Sequence, residues 1–370
     1  MDKIMDKCKE IFAKMDKDAL KKMGIVTAIF AVIVILGCVL SQSVAKEVAE
    51  KEAAEAAAAE AATTEALGGE VTRITGNNTA AASVASATTY MAVAGVDSLD
   101  NVIIVSDQGF ADALSGTYLS KVNGAPILVI PSKEDGSVDN IGVATIASFL
   151  KESLADEGTI TLLGGTSVIS ADVEASLGSC GNVTRIAAAD RYATNLAVLQ
   201  AAGLADDVTT LLVASGAGFA DSISAASTGL PMLLVGDTLT AEQQKYLEEN
   251  NFDNIYVLGS TTAVPAAVET ALAKYGEVER ISGDSRYETS AAIAEKFFEE
   301  TNAVAITTGQ DFTAGLSGAL LANQMNAPLL LVDDNATTAA KSYTSGKEIK
   351  YVLNFATAEQ VADATMNAIK

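Results

Sequence analysis

The chain of 370 residues has 24 basic and 47 acidic side chains, a formal charge of −23, and 49% of its residues are apolar. It is long enough for two or three domains, and its acidity disfavours binding to nucleic acid or anionic lipid. There is no histidine, which excludes Ser-His-Asp and Cys-His catalysis and histidine-ligated zinc. We therefore expect no nucleic-acid partner, no metal and no cofactor.

The first 40 residues have the pattern of a short cytoplasmic segment followed by a membrane span. Residues 1–22 hold seven of the 24 basic residues, and MGIVTAIFAVIVILGCVL at 23–40 holds no charge. A helix of this length nearly spans the roughly 30 Å hydrocarbon layer. The lysines before it predict a cytoplasmic N-terminus, with the remaining chain outside the membrane.

Three fates fit this segment. Its length suits an uncleaved anchor, which we favour, and the small residues of SVA at 43–45 suit signal-peptidase cleavage. ILGC at 35–38 partly matches a lipoprotein box, in which Cys38 would be lipidated; otherwise Cys38 is a small apolar residue of the span. Each fate exports the same C-terminal region.

Residues 41–70 are rich in alanine and glutamate and contain Gly68 and Gly69 near their end. Alanine is the best helix former and glycine suits a helix end, so this segment predicts a single helix. Because its apolar positions are almost all alanine, it has little to bury. We expect a semi-rigid stalk of roughly 30 Å, with a coiled coil as the alternative.

After the stalk, four phrases recur three times in a fixed order. The openers are VTRITG, VTRIAA and VERISG, which begin at Val71, Val183 and Val278. They are followed by GFADALSG, GFADSISA and DFTAGLSG, then by GAPILVI, GLPMLLV and NAPLLLV, and finally by ITLLGGTSVIS, IYVLGSTTAVP and IKYVLNFATAE. This periodicity predicts three repeats, at 71–182, 183–277 and 278–370.

Short apolar runs such as NVIIVS and APILVI do not alternate with polar residues, as is typical of parallel strands buried on both faces. Helical stretches such as RYETSAAIAEKFFEE lie between them. Each repeat therefore predicts a small doubly wound α/β domain. Neither G-x-G-x-x-G nor G-x-x-x-x-G-K-[ST] occurs, which disfavours nucleotide binding.

The opener RISGDSRYET at 280–289, the FADALSG phrase, the GAPILVI strand and the Gly-Gly turn, in three tandem copies, resemble the cell wall-binding repeat type 2 family of Gram-positive surface proteins. The resemblance covers residues 71–370. It implies three Rossmann-like or flavodoxin-like domains around a pseudo-threefold axis. It also implies noncovalent binding to an anionic wall polymer, teichoic-acid-like or another secondary wall polysaccharide.

Two repeats depart from this pattern. Repeat 1 has Asn77 and Asn78 where the other openers have an aspartate, an arginine and a tyrosine. Repeat 3 has Ala314 at the aspartate of the second phrase, and Asn354 and Phe355 in place of the glycine turn. Three equivalent binding sites are therefore not expected.

The chain has only five arginines, and all of them lie in the openers or within a few residues after them. Their planar fork can bind phosphate or carboxylate bidentately, or can pair with acids inside the repeats. The candidate polymer-binding residues are Arg73, Arg185, Arg191, Tyr192, Arg280, Arg286 and Tyr287. For the tyrosines, stacking on a sugar competes with packing on the core. The acids Asp112, Asp190, Asp221 and Asp284 are expected to cap helices or form ion pairs.

These patterns predict a noncatalytic, membrane-anchored protein of the cell envelope whose extracellular repeats bind a wall polymer. Two alternatives remain. An assembly module would present exposed apolar patches and associate with itself or with other proteins. A carboxylate-dependent wall-modifying enzyme would have one strongly perturbed acid in a deep pocket of a single repeat.

Overall fold

The computed structural model describes residues 51, 53–54, 56–205 and 207–370. They belong to two compact units that divide after Ala62, and the three repeats lie in the second unit, Thr63–Lys370. The predicted cytoplasmic segment, the predicted membrane span and Cys38 lie outside the described residues and stay predictions. Within the described ranges, no helix is long and apolar enough to cross a membrane.

The described part of the predicted stalk is helical between residues 51 and 67 and consists mostly of exposed side chains. It ends at Gly68, whose φ of +71° is readily adopted only by glycine. Its last turn belongs to the second unit, where Leu67 is buried. The Thr64 hydroxyl lies 2.8 Å from that of Tyr351.

Twelve strands are described in the second unit, all in parallel pairs. They are β1 (Val71–Arg73), β2 (Leu99–Ser106), β3 (Ile127–Ile130), β4 (Leu154–Leu163), β5 (Asn182–Ile186), β6 (Thr210–Ser215), β7 (Met232–Val235), β8 (Asn254–Leu258), β9 (Glu277–Ile281), β10 (Ala303–Thr308), β11 (Leu329–Val332) and β12 (Tyr351–Asn354).

Helices separate the strands along the chain. They are α1 (Thr79–Ala94), α2 (Phe110–Asn123), α3 (Asn140–Ser153), α4 (Ala171–Leu177), α5 (Arg191–Ala202), α6 (Ala220–Ala225), α7 (Ala241–Glu249), α8 (Ala266–Leu272), α9 (Arg286–Phe297), α10 (Thr313–Gln324), α11 (Thr338–Thr344) and α12 (Asp363–Asn367). A single 3₁₀ turn, Ala226–Thr228, extends α6.

The strands form three four-stranded sheets, in the orders β3-β2-β4-β5, β7-β6-β8-β9 and β1-β12-β10-β11. Neighbouring residues on the central strands are buried on opposite faces, as Ile103 and Ile104 are at 1% and 0% exposure. Helices therefore cover both faces of each sheet. This confirms the predicted α/β class with three parallel-sheet repeats.

Each sheet combines strands of two repeats. β5 and β9 open repeats 2 and 3, yet they pair with β4 and β8 of the repeats before them. β1 opens repeat 1 and pairs with β12 of repeat 3, with Arg73 opposite Asn354. The chain of repeats is thus closed into a ring by its own first strand.

Equivalent residues of the second phrases meet at the centre of this ring. Leu114, Ile223 and Leu316 are at most 1% exposed and belong to one core cluster. The rings of Phe110, Phe219 and Phe312 contact one another pairwise, with centroids 6.2 to 6.4 Å apart. Three nearly equal distances are what a pseudo-threefold arrangement requires.

Candidate functional site

The five arginines occupy two kinds of position. Arg73, Arg185 and Arg280 lie on the opener strands β1, β5 and β9, and their side chains are only 17%, 15% and 14% exposed. We call them the anchor arginines. Arg191 and Arg286 are the first residues of α5 and α9 and are exposed. We call them the cleft arginines.

Each anchor arginine binds the loop that follows the neighbouring strand and the first turns of the helix after that loop. Nη1 of Arg185 donates to the Gly164 carbonyl at 2.6 Å, Nη2 donates to the Ile169 carbonyl at 2.9 Å, and Nε and Nη2 both donate to Glu174. The corresponding partners are Gly259, Val264 and Glu269 for Arg280, and Ala356, Val361 and Asp363 for Arg73. The anchor arginines therefore hold adjacent repeats together through bonds within the protein.

The anchor contacts identify Ala356 as the residue of repeat 3 that corresponds to the turn glycines Gly164 and Gly259. All three carbonyls accept from the anchor arginine of the paired opener. The sequence alignment, which puts Asn354 and Phe355 at this turn, is wrong in register. Both residues come before the turn and belong to the buried part of repeat 3.

The cleft arginines lie on phenylalanine rings of the preceding repeat. The guanidinium carbon of Arg191 is 5.4 Å from the centroid of Phe110, and that of Arg286 is 5.6 Å from Phe219. Both distances suit a cation–π contact. Nη1 of Arg191 also donates to the Gly216 carbonyl at 2.6 Å, and Arg286 makes the equivalent bond after β10.

An aspartate of the preceding repeat lies near each cleft arginine. Burial raises the pKa of Asp112, and the positive charge of Arg191 opposes this increase without cancelling it. Burial also raises the pKa of Asp221, against the charge of Arg286. Each cleft therefore combines an exposed cation with a carboxyl group that is partly shielded from water.

Glycine at the neighbouring turn leaves room for each aspartate. At Gly259, φ is +90°, and an added Cβ would lie 2.2 Å from Oδ2 of Asp221. At Gly164, φ is +108°, and a Cβ would lie 2.9 Å from Oδ2 of Asp112. The aspartate on the helix and the glycine at the turn are thus sterically coupled, because a side chain at the turn would collide with the aspartate.

These residues line two inter-repeat clefts. Cleft 1, between repeats 1 and 2, has a volume of about 300 Å³ and contains Asp112 and Arg191. Cleft 2, between repeats 2 and 3, has a volume of about 560 Å³ and contains Asp221 and Arg286. Phe110 lines both of them.

Cleft 3, between repeats 3 and 1, has a volume of about 190 Å³ and lacks this charge pair. Asn78 caps α1 by accepting from the Ala81 amide, as Ser285 caps α9. Thr79 therefore stands at the arginine position, which corrects the expectation that Asn77 and Asn78 replace the arginine. Ala314 replaces the aspartate and Ala356 replaces the turn glycine, so cleft 3 is lined by the acid Asp311 and by no arginine.

The predicted tyrosines lie outside these clefts. The Tyr192 ring covers the backbone after β6, with Cε1 2.5 Å from where a Cβ on Gly216 would lie. Tyr287 occupies the equivalent place, and its hydroxyl accepts from Nε2 of Gln310 at 3.1 Å. Neither tyrosine lines cleft 1 or cleft 2.

The remaining predicted acids differ in role. The Asp190 carboxylate accepts from the amides of Tyr192 and Ala193, both at 2.9 Å, and so caps α5. Asp190 also lines cleft 1, and Asp284 lines cleft 2 without capping a helix; both carboxylates are exposed. Sequence reasoning missed the three phenylalanines, although an aromatic residue at the same place in every second phrase was a usable signal.

Known proteins share these repeats. The family model of cell wall binding domain 2 (CWB2) matches residues 73–174, 185–269 and 280–364. The amidase enhancer of Bacillus subtilis is 31% identical over 253 residues, which cover 67% of this chain and 33% of the enhancer. The N-acetylmuramoyl-L-alanine amidase LytC of the same organism is 26% identical over 275 residues, which cover 72% of this chain and 52% of LytC.

Two solved structures share the fold. Cwp6 and Cwp8 from Clostridium difficile each match with a TM-score of 0.71, at 20% and 22% identity. The matches cover 81% of this chain, 47% of Cwp6 and 51% of Cwp8. The chain thus spans between a third and about half of the proteins it resembles.

Proposed function

This chain belongs to the cell wall binding domain 2 family, and we propose that it is a noncatalytic protein that binds an anionic polymer of a Gram-positive cell wall. The observation that carries the proposal is the repeated cleft in which an exposed arginine lies on a phenylalanine ring. Arginine binds phosphate and carboxylate bidentately, and one bond to a backbone carbonyl leaves most of its donors for a ligand.

The negative net charge of the protein strengthens the case that these arginines bind the polymer. A chain with a formal charge of −23 repels polyanions at long range, so binding requires local positive sites. The carboxyl groups of Asp112 and Asp221 are half-buried beside the turn glycines, whereas the cleft arginines are exposed to an incoming ligand. We therefore assign polymer binding to Arg191 and Arg286, and a structural role to the anchor arginines.

The clefts also argue against the enzymatic alternative. That alternative expects a perturbed acid in a single repeat, whereas the same arginine and aspartate recur in clefts 1 and 2. Repetition of one arrangement is what a binding protein for a repetitive polymer needs. The aspartates also face the turn glycines, which gives them a structural reason to be present.

We further propose that residues 23–40 tether the chain to the membrane, because they form an uncharged stretch of 18 residues preceded by lysines. The protein would then link the membrane and the wall. Alkaline extraction of membranes from cells expressing the full chain should leave it in the pellet. Release into the supernatant would contradict the tether but not the binding of polymer.

Sedimentation with isolated walls tests the proposal. The full chain should pellet with intact Gram-positive walls, and binding should weaken as salt screens the charges. Walls from which acid has removed the phosphodiester-linked polymers should no longer bind it. Equal binding before and after acid treatment, or none to either preparation, would contradict recognition of an anionic polymer.

A further inference from the structure

The two charged clefts adjoin each other. Phe110 supports Arg191 in cleft 1 and also lines cleft 2, where Phe219 supports Arg286. The arginine-to-ring distances are 5.4 and 5.6 Å, and the two ring centroids are 6.4 Å apart. Taken end to end, these distances place the guanidinium carbons no more than about 17 Å apart, within reach of one flexible ligand.

Both cations are held in position before any ligand arrives. Each rests on a ring and donates one N–H to a carbonyl, of Gly216 for Arg191 and of Gly309 for Arg286. Within the described ranges, neither forms an ion pair with the aspartate of its cleft. Positioning side chains in advance lowers the entropic cost of binding.

The third position of the ring cannot take part in the same way. Thr79 carries no charge at the place of the cleft arginines, and Ala314 and Ala356 replace the aspartate and the turn glycine. Recognition of anionic groups is therefore concentrated at two neighbouring points on one side of a ring of three repeats. This asymmetry selects for a ligand with two anions a limited distance apart.

From this geometry we infer that one polymer chain occupies clefts 1 and 2 at the same time. The inference rests on the proposed function and narrows its ligand to a polymer in which anionic groups recur within about 17 Å of each other. Once one anion is bound, the second binds as an intramolecular event. Linkage of this kind raises affinity by about 10²–10⁴-fold over a single site.

Calorimetric titration of the full chain with oligo(glycerol phosphate) of increasing length, from the monomer upward, tests the inference. Affinity should rise about 100-fold at the length that first reaches both arginines. Longer oligomers should bind as one chain per protein. Arg191→Ala and Arg286→Ala should each abolish this increase, while Lys151→Ala, which removes an exposed charge that lines neither cleft, should keep it.

The outcomes separate the inference from the function on which it rests. Affinity that does not depend on oligomer length, or a single-arginine variant that retains the increase, would overturn simultaneous occupancy while leaving anion binding intact. Absence of binding at every length, together with absence of binding to walls, would overturn the proposed function itself. Circular dichroism of both arginine variants should match that of the parent chain, because these side chains are exposed.

Discussion

The anchor position and the cleft position are both set by the openers, yet they differ across the ring. All three repeats keep an arginine at the anchor, whereas only two keep one at the cleft. The anchor is needed wherever two repeats meet, because its arginine binds the loop of the paired sheet. The cleft arginine is dispensable at one junction, as expected for a residue that serves a ligand rather than the fold.

The largest expected effect is at the anchor. Arg280→Ala removes a guanidinium that is 14% exposed and leaves two carbonyls and Glu269 without their donor. We expect a loss of about 3 kcal/mol in the free energy of unfolding, the cost of breaking a half-buried charged network. Urea unfolding of Arg280→Ala and of Arg286→Ala compares the loss of unfolding free energy at an anchor arginine with that at a cleft arginine. Equal losses for the two variants would remove the distinction between anchor and cleft.

The next effect concerns the turn glycine. Gly259→Ala introduces a Cβ 2.2 Å from Oδ2 of Asp221 at a φ of +90°, and we expect a loss of about 2 kcal/mol. Part of this loss should be recovered in the Gly259→Ala/Asp221→Ala double variant, whose side chains match those of cleft 3. A double-mutant cycle in urea unfolding measures the coupling. Additive losses would contradict the steric pairing of glycine and aspartate.

A gain of function is expected at cleft 3, which has no arginine. Thr79→Arg places a guanidinium at the start of α1, in the position that Arg191 and Arg286 occupy elsewhere. Wall binding should increase about two- to fivefold, because a third cation adjoins the other two. Ser148→Arg, at an exposed position of α3, adds the same charge away from the clefts and is the control. An equal increase for both variants would mean that net charge alone governs binding.

The smallest effect is a pH-dependent one at Asp221. Burial raises its pKa in the folded chain, so its neutral form is favoured by folding. Its stabilising contribution is complete below the unfolded pKa of about 4 and is lost as pH rises through the folded pKa. Asp221→Asn should therefore raise the melting temperature slightly at pH 7, and the gain should vanish as pH approaches 4.

Asp284→Asn, in the same cleft but exposed, is the matched control for that measurement and should show no such gain. Melting curves of both variants at several pH values provide the comparison. A gain for Asp221→Asn that persists at pH 4 would assign the effect to packing rather than to the buried charge.

The sequence predicted the fold well because its signals are local. Apolar runs such as NVIIVS, buried on both faces in β2, required parallel sheets covered by helices. The offset between repeats and sheets could not be predicted, since the pairing of β1 with β12 joins residues nearly 300 positions apart. Each opener was expected to belong to the sheet of its own repeat. Only the strand pairing shows that the opener strand belongs to the sheet of the preceding repeat.

The candidate site was predicted only in part. All five arginines were identified as candidates. In repeats 2 and 3 two arginines lie six positions apart, and nothing in the sequence shows which is the anchor arginine and which is the cleft arginine. That difference depends on which neighbour each side chain meets, as with Arg185 at Glu174 and Arg191 at Phe110. The correspondence of Ala356 with the turn glycines was likewise hidden, because it follows from hydrogen bonds rather than from spacing.

The most direct test of the account is wall sedimentation of the Arg191→Ala/Arg286→Ala double variant at low salt. Its control is Lys151→Ala/Lys274→Ala, which removes the same charge from exposed lysines that line none of the three clefts. We expect the arginine variant to lose about 100-fold in affinity for polymer-bearing walls, while the lysine variant binds like the parent chain. Wall binding that survives in the arginine variant would contradict the assignment of polymer recognition to clefts 1 and 2.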